Sequence, residues 1–167
     1  MHNDSNFVGK AYGLIGHIKR IKNDSTAVID LKFALPFLDN SKEFEMTKTI
    51  YDDFFVALLS QKSYDTLVKY ASSAIQTWPN DSRFYSHRSM AYVSIEKTKL
   101  ALTDINQAIA LDPTNYFHYF RRAMIYITLK RNYDACRDLE IANHPVEETG
   151  ITLKAEIDKL RKTYCNK

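Results

Sequence analysis

The chain has 167 residues, a formal net charge of +3, 45% hydrophobic residues and 26% charged ones. These values fit a soluble globular chain with one core, and so small a positive balance carries no argument for nucleic acid or an acidic membrane as partner. Four Gly and four Pro are few for a turn-rich β protein, and no apolar run is long enough to span a bilayer. The opening residues MHNDSNFVGK are too polar for a secretory signal, so a cytoplasmic location is expected. Cys136 and Cys165 offer neither metal-ligand spacing nor a disulfide framework and are expected as reduced thiols.

In chain order, Phe7, Val8, Ala11, Tyr12, Ile15, Ile18 and Ile21 recur at steps of three and four, which predicts a helix from about Asn6 to Lys22 with one apolar face. Asp4 or Ser5 is placed to cap it. Lys10, His17, Lys19, Arg20 and Lys22 make its other face basic, a pattern that fits packing or a protein interface better than a membrane surface. Gly9, Gly13 and Gly16 carry no dinucleotide signature, but their spacing lets another helix approach closely. Asn23-Asp24-Ser25 breaks the helix. In the following TAVIDLKFALPFLDN, Pro36 bars a regular helix interior and predicts an extended or short helical segment. Residues 1–46 are read as an N-terminal extension outside the pattern that follows.

That pattern is a period. Tyr92 recurs as Tyr126, Ala101 as Ala135, Asp104 as Asp138 and Ala108 as Ala142, each pair 34 positions apart, as are Pro79 and Pro113. Such a period marks paired helices that cannot bury their apolar faces alone and must stack. The first repeat spans about 48–80, with Tyr51, Phe54, Phe55 and Leu58 inward on one helix and Tyr64, Leu67, Val68, Ala71, Ala74 and Ile75 on the next. The second spans 82–114 and turns Tyr85, Ala91, Tyr92, Ile95, Leu100, Ala101, Ile105, Ala108 and Ile109 inward. The third spans 115–145, with Tyr119, Ala123, Tyr126, Leu129, Tyr133, Ala135, Leu139 and Ala142; its closing Pro145 falls short of the period. A last helix over 148–166, capped by Thr149 and striped by Ile151, Leu153, Ile157, Leu160 and Tyr164, closes the stack.

Tyr85, Arg88, Ser89, Tyr92, Ala101, Ile105, Ala108 and Pro113, with Tyr119, Arg122, Ala123, Tyr126, Ala135, Leu139 and Ala142, resemble the tetratricopeptide repeat. The resemblance covers residues 47–167. It implies an all-α, right-handed superhelical stack of three repeats, with the C-terminal helix as cap and residues 1–46 as a helical extension. HRSMAY, YFRRAM and LTDINQAIALDPTN resemble the co-chaperone branch, of the protein phosphatase 5 and stress-inducible chaperone organiser type. Members of that branch hold the acidic tails of heat-shock chaperones with five clamp residues, Lys, Asn, Asn, Lys and Arg. By the period these positions fall on Asp52, Val56, His87, Phe117 and Arg121. Only Arg121 keeps its type, and Asp52 reverses the charge, so the fold is expected without most of the clamp.

The concave face implied by the resemblance would expose Asp52, Val56, Arg83, His87, Met90, Phe117, Phe120, Arg121 and Met124, an apolar trough with polar punctuation. Such a strip marks a partner site, and Met and Phe adapt to apolar peptides. The expected function is a non-catalytic adaptor, scaffold or co-chaperone-like module binding a short protein segment. Two alternatives stand: a structural subunit whose groove is filled by residues 1–46 or by a second copy, and residual binding of heat-shock tails. The sequence does not indicate an oligomeric state. Five scattered histidines predict no metal site, no phosphate-binding loop predicts a cofactor, and the adjacent Asp52 and Asp53 point apart, so no enzyme is expected. His118 beside Arg121 and Arg122 on an aromatic helix could stack single strands, but Tyr119 and Arg122 already serve the repeat; nucleic acid is not an expected partner.

Overall fold

A computed structural model describes residues 2–38, 44–143 and 151–165. Among them the chain is helical throughout: α1 His2–Ile21, α2 Ala27–Ala34 with a 3-10 turn Leu35–Phe37, α3 Phe44–Ser60, α4 Tyr64–Thr77, α5 Ser82–Ser94, α6 Thr98–Leu111, α7 Tyr116–Thr128, α8 Asn132–Ala142 and α9 Ile151–Tyr164. Two compact units divide within α4, at residues 1–70 and 71–167. The expected all-α class holds. Thr149 and Pro145 lie outside the described residues, and α1 already begins ahead of the Asp4 and Ser5 expected to cap it.

Each helix pair closes through the same turn. Asn23, Lys62, Glu96 and Lys130 take left-handed backbone angles, with φ of 56°, 57°, 60° and 59°. The next N–H, of Asp24, Ser63, Lys97 and Arg131, donates to the carbonyl of Lys19, Leu58, Tyr92 and Tyr126 at 2.8 to 2.9 Å. This is the hydrogen-bonded helix end in which a left-handed residue reverses the chain. Asp81 and Asn115 cap α5 and α7, their side chains accepting from the N–H of Arg83 and Phe117.

In the second unit, Ala101, Ile105 and Ala108 on α6 pack with Ile125 on α7. Ala135, Leu139 and Ala142 on α8 pack with Phe120, Ala123 and Ile157, the last carried by α9. The small–large–small order brings backbones close and seats one large side chain between them. Leu100, Leu129 and Tyr133, expected inward, are 48%, 38% and 76% exposed. Leu100 and Tyr133 sit one and two residues from the alanines that meet the neighbouring helix, hence on other faces of the cylinder, and Leu129 is the C-cap of α7.

The first unit repeats this order where none was expected. Ala27, Leu31 and Ala34 of α2 are buried, in the spacing of Ala101, Ile105 and Ala108. On α1 the glycines face inward: a Cβ on Gly16 would lie 2.5 Å from Leu31 Cγ, and one on Gly13 would lie 2.3 Å from Ile50 Cδ1. The close approach expected from the glycine spacing is present. The apolar side chains are the correction: Phe7, Ile18 and Ile21 are 72%, 51% and 59% exposed.

The thiol expectation is overturned. Cys136 on α8 and Cys165, just past α9, form a disulfide with Cα atoms 5.6 Å apart. The helix hairpin of α8 and α9 brings together two residues 29 positions apart, a proximity that spacing alone does not reveal. Closing a loop of that length removes about 3–4 kcal/mol of unfolded-chain entropy. Cys136→Ser should therefore lower unfolding free energy by roughly 2–4 kcal/mol in urea titrations, and dithiothreitol should bring the wild type to the same value while leaving the variant unmoved.

Candidate functional site

Arginine sits where the tetratricopeptide-like pattern turns α5 and α7 toward their partner helices. Arg88 donates through Nε and Nη2 to both carboxylate oxygens of Asp104, at 2.7 and 2.8 Å, and through Nη1 to Ser72 at 2.9 Å. One period on, Arg122 repeats the arrangement with Asp138 at 2.7 and 2.8 Å and Asn106 at 2.8 Å. Tyr85 and Tyr92 flank Arg88, and Tyr119 and Tyr126 flank Arg122, with ring centres 5.6 to 5.9 Å from the guanidinium carbon. The hydrogen bonds from Asp104 and Asp138 raise both arginine pKa values, against the opposing effect of burial. Each forked pair therefore stays charged, and each ties the second helix of its repeat to that of the repeat before. Sequence reasoning misses these pairs, although both members recur at the period.

In the first unit the same register holds Phe54 and Tyr70, packed edge to face at 5.1 Å. The same unit holds an apolar cleft of about 720 Å³, lined by Val28, Ile29, Phe33, Pro36, Phe37, Phe54 and Leu58, with Lys32 and Thr66 as its polar members. Of the site residues expected in this unit, Asp52 and Val56 are half-buried. Val56 lines a second pocket of about 330 Å³ with Arg20, Ala27, Ser60 and Gln61. The carboxylate that gathers partners is the neighbouring Asp53, which meets His17 Nδ1 at 2.6 Å and Arg20 Nε at 2.5 Å.

The other seven expected residues lie in the second unit. Phe117 is 38% exposed and stacks on Phe120 at 5.9 Å. Arg121 places its guanidinium 4.5 Å from the Phe117 ring centre and donates through Nη1 to Ser86 Oγ at 2.8 Å. Phe117, Phe120 and Arg121 are thus brought together by direct contact, with Met90 and Met124 half-buried. Two residues depart from the expected exposure. Phe120 is buried because α8 and α9 close over it, in the cluster containing Leu139 and Ile157. His87, on α5, is buried. Arg83 is engaged by Asp81 through two bonds of 3.1 and 2.9 Å.

Beneath Arg121 lies a residue absent from the expected site. His118 is 2% exposed, with Nδ1 3.1 Å from Ser86 Oγ. Burial first, then the nearby charge of Arg121, pushes its pKa down to about 4, with Asp112 and Asp81 opposing. A neutral His118 and a charged Arg121 share one hydroxyl. Among the described residues, no group of His, Cys, Asp and Glu could hold a metal, and no helix is long and apolar enough to cross a membrane.

Helix pairs with a shared turn, small–large–small packing and a 34-residue period define a repeat protein of stacked helical hairpins. A tetratricopeptide-repeat family model matches residues 82–115, and the chain is similar to proteins and solved domains that carry such repeats. Human serine/threonine-protein phosphatase 5 is 36% identical over 99 residues, 59% of this chain and 19% of the phosphatase. The match lies in the repeat region of that enzyme and not in its phosphatase domain. The STIP1 homolog of Dictyostelium discoideum is 33% identical over 84 residues, 50% of this chain and 15% of that protein. The chain thus spans under a fifth of the length of these relatives. The TPR2B domain of yeast Sti1, solved in its pHsp70 complex, aligns with a TM-score of 0.60 at 26% identity, covering 66% of this chain and 90% of that one. A thermophilic tetratricopeptide protein of Thermus thermophilus shares the fold, with a TM-score of 0.77 at 15% identity over 93% of this chain and 82% of that one.

Two outcomes follow from this geometry. Arg122→Ala strands the buried Asp138 carboxylate and should cost roughly 3–5 kcal/mol in chemical denaturation, whereas Asp138→Asn paired with Arg122→Met should cost less than either single change. His118 has a folded pKa near 4 against an ordinary 6.5. Its contribution is therefore complete above pH 6.5 and is lost as pH falls toward 4, roughly 3 kcal/mol in all, and His118→Asn should remove about one proton from the slope over that window.

Proposed function

We propose that this chain is a non-catalytic, co-chaperone-like adaptor that binds a short segment of a partner protein along the exposed face of α5 and α7. The observation that carries the reading is Arg121, stacked on the half-exposed Phe117 and pinned by Ser86. That arrangement presents an aromatic surface and a cation side by side. It suits a peptide that places an apolar side chain next to a carboxylate. Phe117, with Met90 and Met124, takes the apolar part, and Arg121 orients the acid. Of the five positions that clamp a heat-shock tail in the co-chaperone branch, only Arg121 retains a cationic donor, so recognition shifts from charge toward apolar contact.

A second reading is residual binding of a heat-shock chaperone tail, favoured by the 26% identity to the yeast Sti1 domain solved with pHsp70. The two separate in one experiment. Fluorescence anisotropy would compare an acidic Hsp70 C-terminal peptide with a panel of peptides carrying Phe or Leu beside a single Glu. The adaptor reading expects saturation by panel members at about 10–100 μM, with Phe117→Asp and Arg121→Ala each weakening binding roughly tenfold or more. Tail binding lost in Arg121→Ala but kept in Phe117→Asp would establish the second reading. No binding by either class of peptide would remove both.

A further inference from the structure

The exposed side of α1 is built like a covered one. Counting back from the left-handed residue of each turn, the fifth and twelfth positions are Ala57 and Ile50 on α3, Ala91 and Phe84 on α5, and Ile125 and His118 on α7, all buried. In each unit the neighbours covering these positions belong to the preceding helix pair. Ile125 packs on Ala101, Ile105 and Ala108 of α6, and Ile50 meets the Gly13 side of α1. The ninth position behaves alike: Asp53 is bound by His17 and Arg20 of α1, and Arg121 by Ser86 of α5. On α1 the fifth and ninth positions are Ile18 and Leu14, 51% and 53% exposed, extended by Ile21 at 59% and Phe7 at 72%. With Ala11 they run 7, 11, 14, 18, 21, alternating steps of four and three, the spacing of a helix–helix seam.

We propose that this face of α1 docks an amphipathic α-helix of another protein, stacked on it as the preceding helices stack on α3 and α7. The occupant is specified by what covers the equivalent face within this chain: a stripe in which small residues flank a large aliphatic one, as Ala101, Ile105 and Ala108 do. Its flanks are acidic. Lys22, the residue after α1, stands one turn on from Ile18 at the edge of the stripe, whereas Lys19 and Arg20 are already taken up within the chain by Asp30 and Asp53, which shows the carboxylate chemistry that answers this helix's cations. A second copy fits less well. In the antiparallel register that sets Leu14 on Ile18, Lys10 of one copy falls beside Lys22 of the other. Among its described residues α9 supplies no exposed apolar stripe either, because Lys154, Glu156, Asp158 and Lys159 occupy its exposed side. The surface shares no residue with the Phe117–Arg121 face, and the inference does not rest on the function proposed for that face.

A fluorescent peptide of residues 97–112 with Lys97→Glu and Lys99→Glu, stapled across its solvent side to hold it helical, is the probe, titrated into the whole chain. Binding at about 100 μM or tighter is expected, weakened roughly tenfold by Ile18→Asp or Leu14→Glu and unchanged by Phe117→Asp. Both α1 substitutions replace half-exposed side chains, and circular dichroism of each variant verifies that the fold is kept. No binding at millimolar peptide, or binding indifferent to both α1 substitutions, overturns the proposal. So does sedimentation showing a wild-type dimer that Ile18→Asp dissolves, since the face would then belong to a second copy.

Discussion

Close approach between paired helices is the constraint from which the rest of this structure follows. Two helix backbones draw together only where side chains are small, and here that role falls to Ala101 and Ala108, Ala135 and Ala142, Ala27 and Ala34, and the glycines of α1. Once the axes are that near, the connection must reverse the chain within a few residues. A non-glycine residue then occupies left-handed space in each turn, at Asn23, Lys62, Glu96 and Lys130. Each such residue costs on the order of 1 kcal/mol, offset by the backbone hydrogen bonds that close the helix end. A turn of this kind leaves no freedom in how the two helices face one another. It therefore also decides which side chains of α5 and α7 face outward.

What lies between neighbouring pairs differs in chemistry along the chain. In the second unit a forked arginine fills the space, held by a carboxylate of its own repeat and a hydroxyl or amide of the one before. A buried ion pair of this type contributes little net stability but is intolerant of misalignment, since an unmatched carboxylate is costly. It thereby fixes register. In the first unit Phe54 and Tyr70 replace the pair, and the contact there is an edge-to-face ring pair in place of a charged fork. The cleft at Phe33 and Phe37 lies in the unit where Phe54 and Tyr70 stand in place of the fork, beside an α2 of 8 residues against 14 in α6.

Most of the fold was legible because the period is written in residues that packing cannot exchange. Alanine at a backbone crossing and proline in the turn between helices each have a single physical reason, and both recur. The N-terminal pair was obscured by two local changes. Its turn is shorter, with Asn23 four residues before Ala27 where Lys62, Glu96 and Lys130 stand five before their counterparts, and its close-packed face is glycine, which reads as a lapse in the apolar pattern. The eye then follows Phe7, Ile18 and Ile21, which face outward. The disulfide was hidden for another reason: proximity of Cys136 and Cys165 depends on where α9 docks, and no local signal encodes that. At the candidate site, Phe117 and Arg121 were found by counting the period. The burial of His118 and its contact with Ser86 are not legible there, because a buried polar pair leaves no mark in a pattern of apolar residues.

That hidden pair changes how Arg121 acts. An arginine on an open surface gives little to a carboxylate, roughly 0–1 kcal/mol, because water competes and the side chain must be ordered. Arg121 is already ordered, by the Phe117 ring below it and the Ser86 hydroxyl beside it. His118 supports this arrangement by staying neutral: a protonated imidazole against the same hydroxyl would repel the guanidinium, and the burial that pushes its pKa to about 4 prevents that near neutral pH. Rigidity, however, does not supply the four missing clamp partners. A carboxylate meeting one preorganised arginine gains direction more than affinity. On the proposed function, the remaining binding free energy would come from apolar area, at about 25 cal/mol per Å² removed from water, with the half-exposed Phe117 and the two half-buried methionines supplying it. On the proposed function, charge on this surface would set the orientation of a ligand, and the oily contact would set how long it stays.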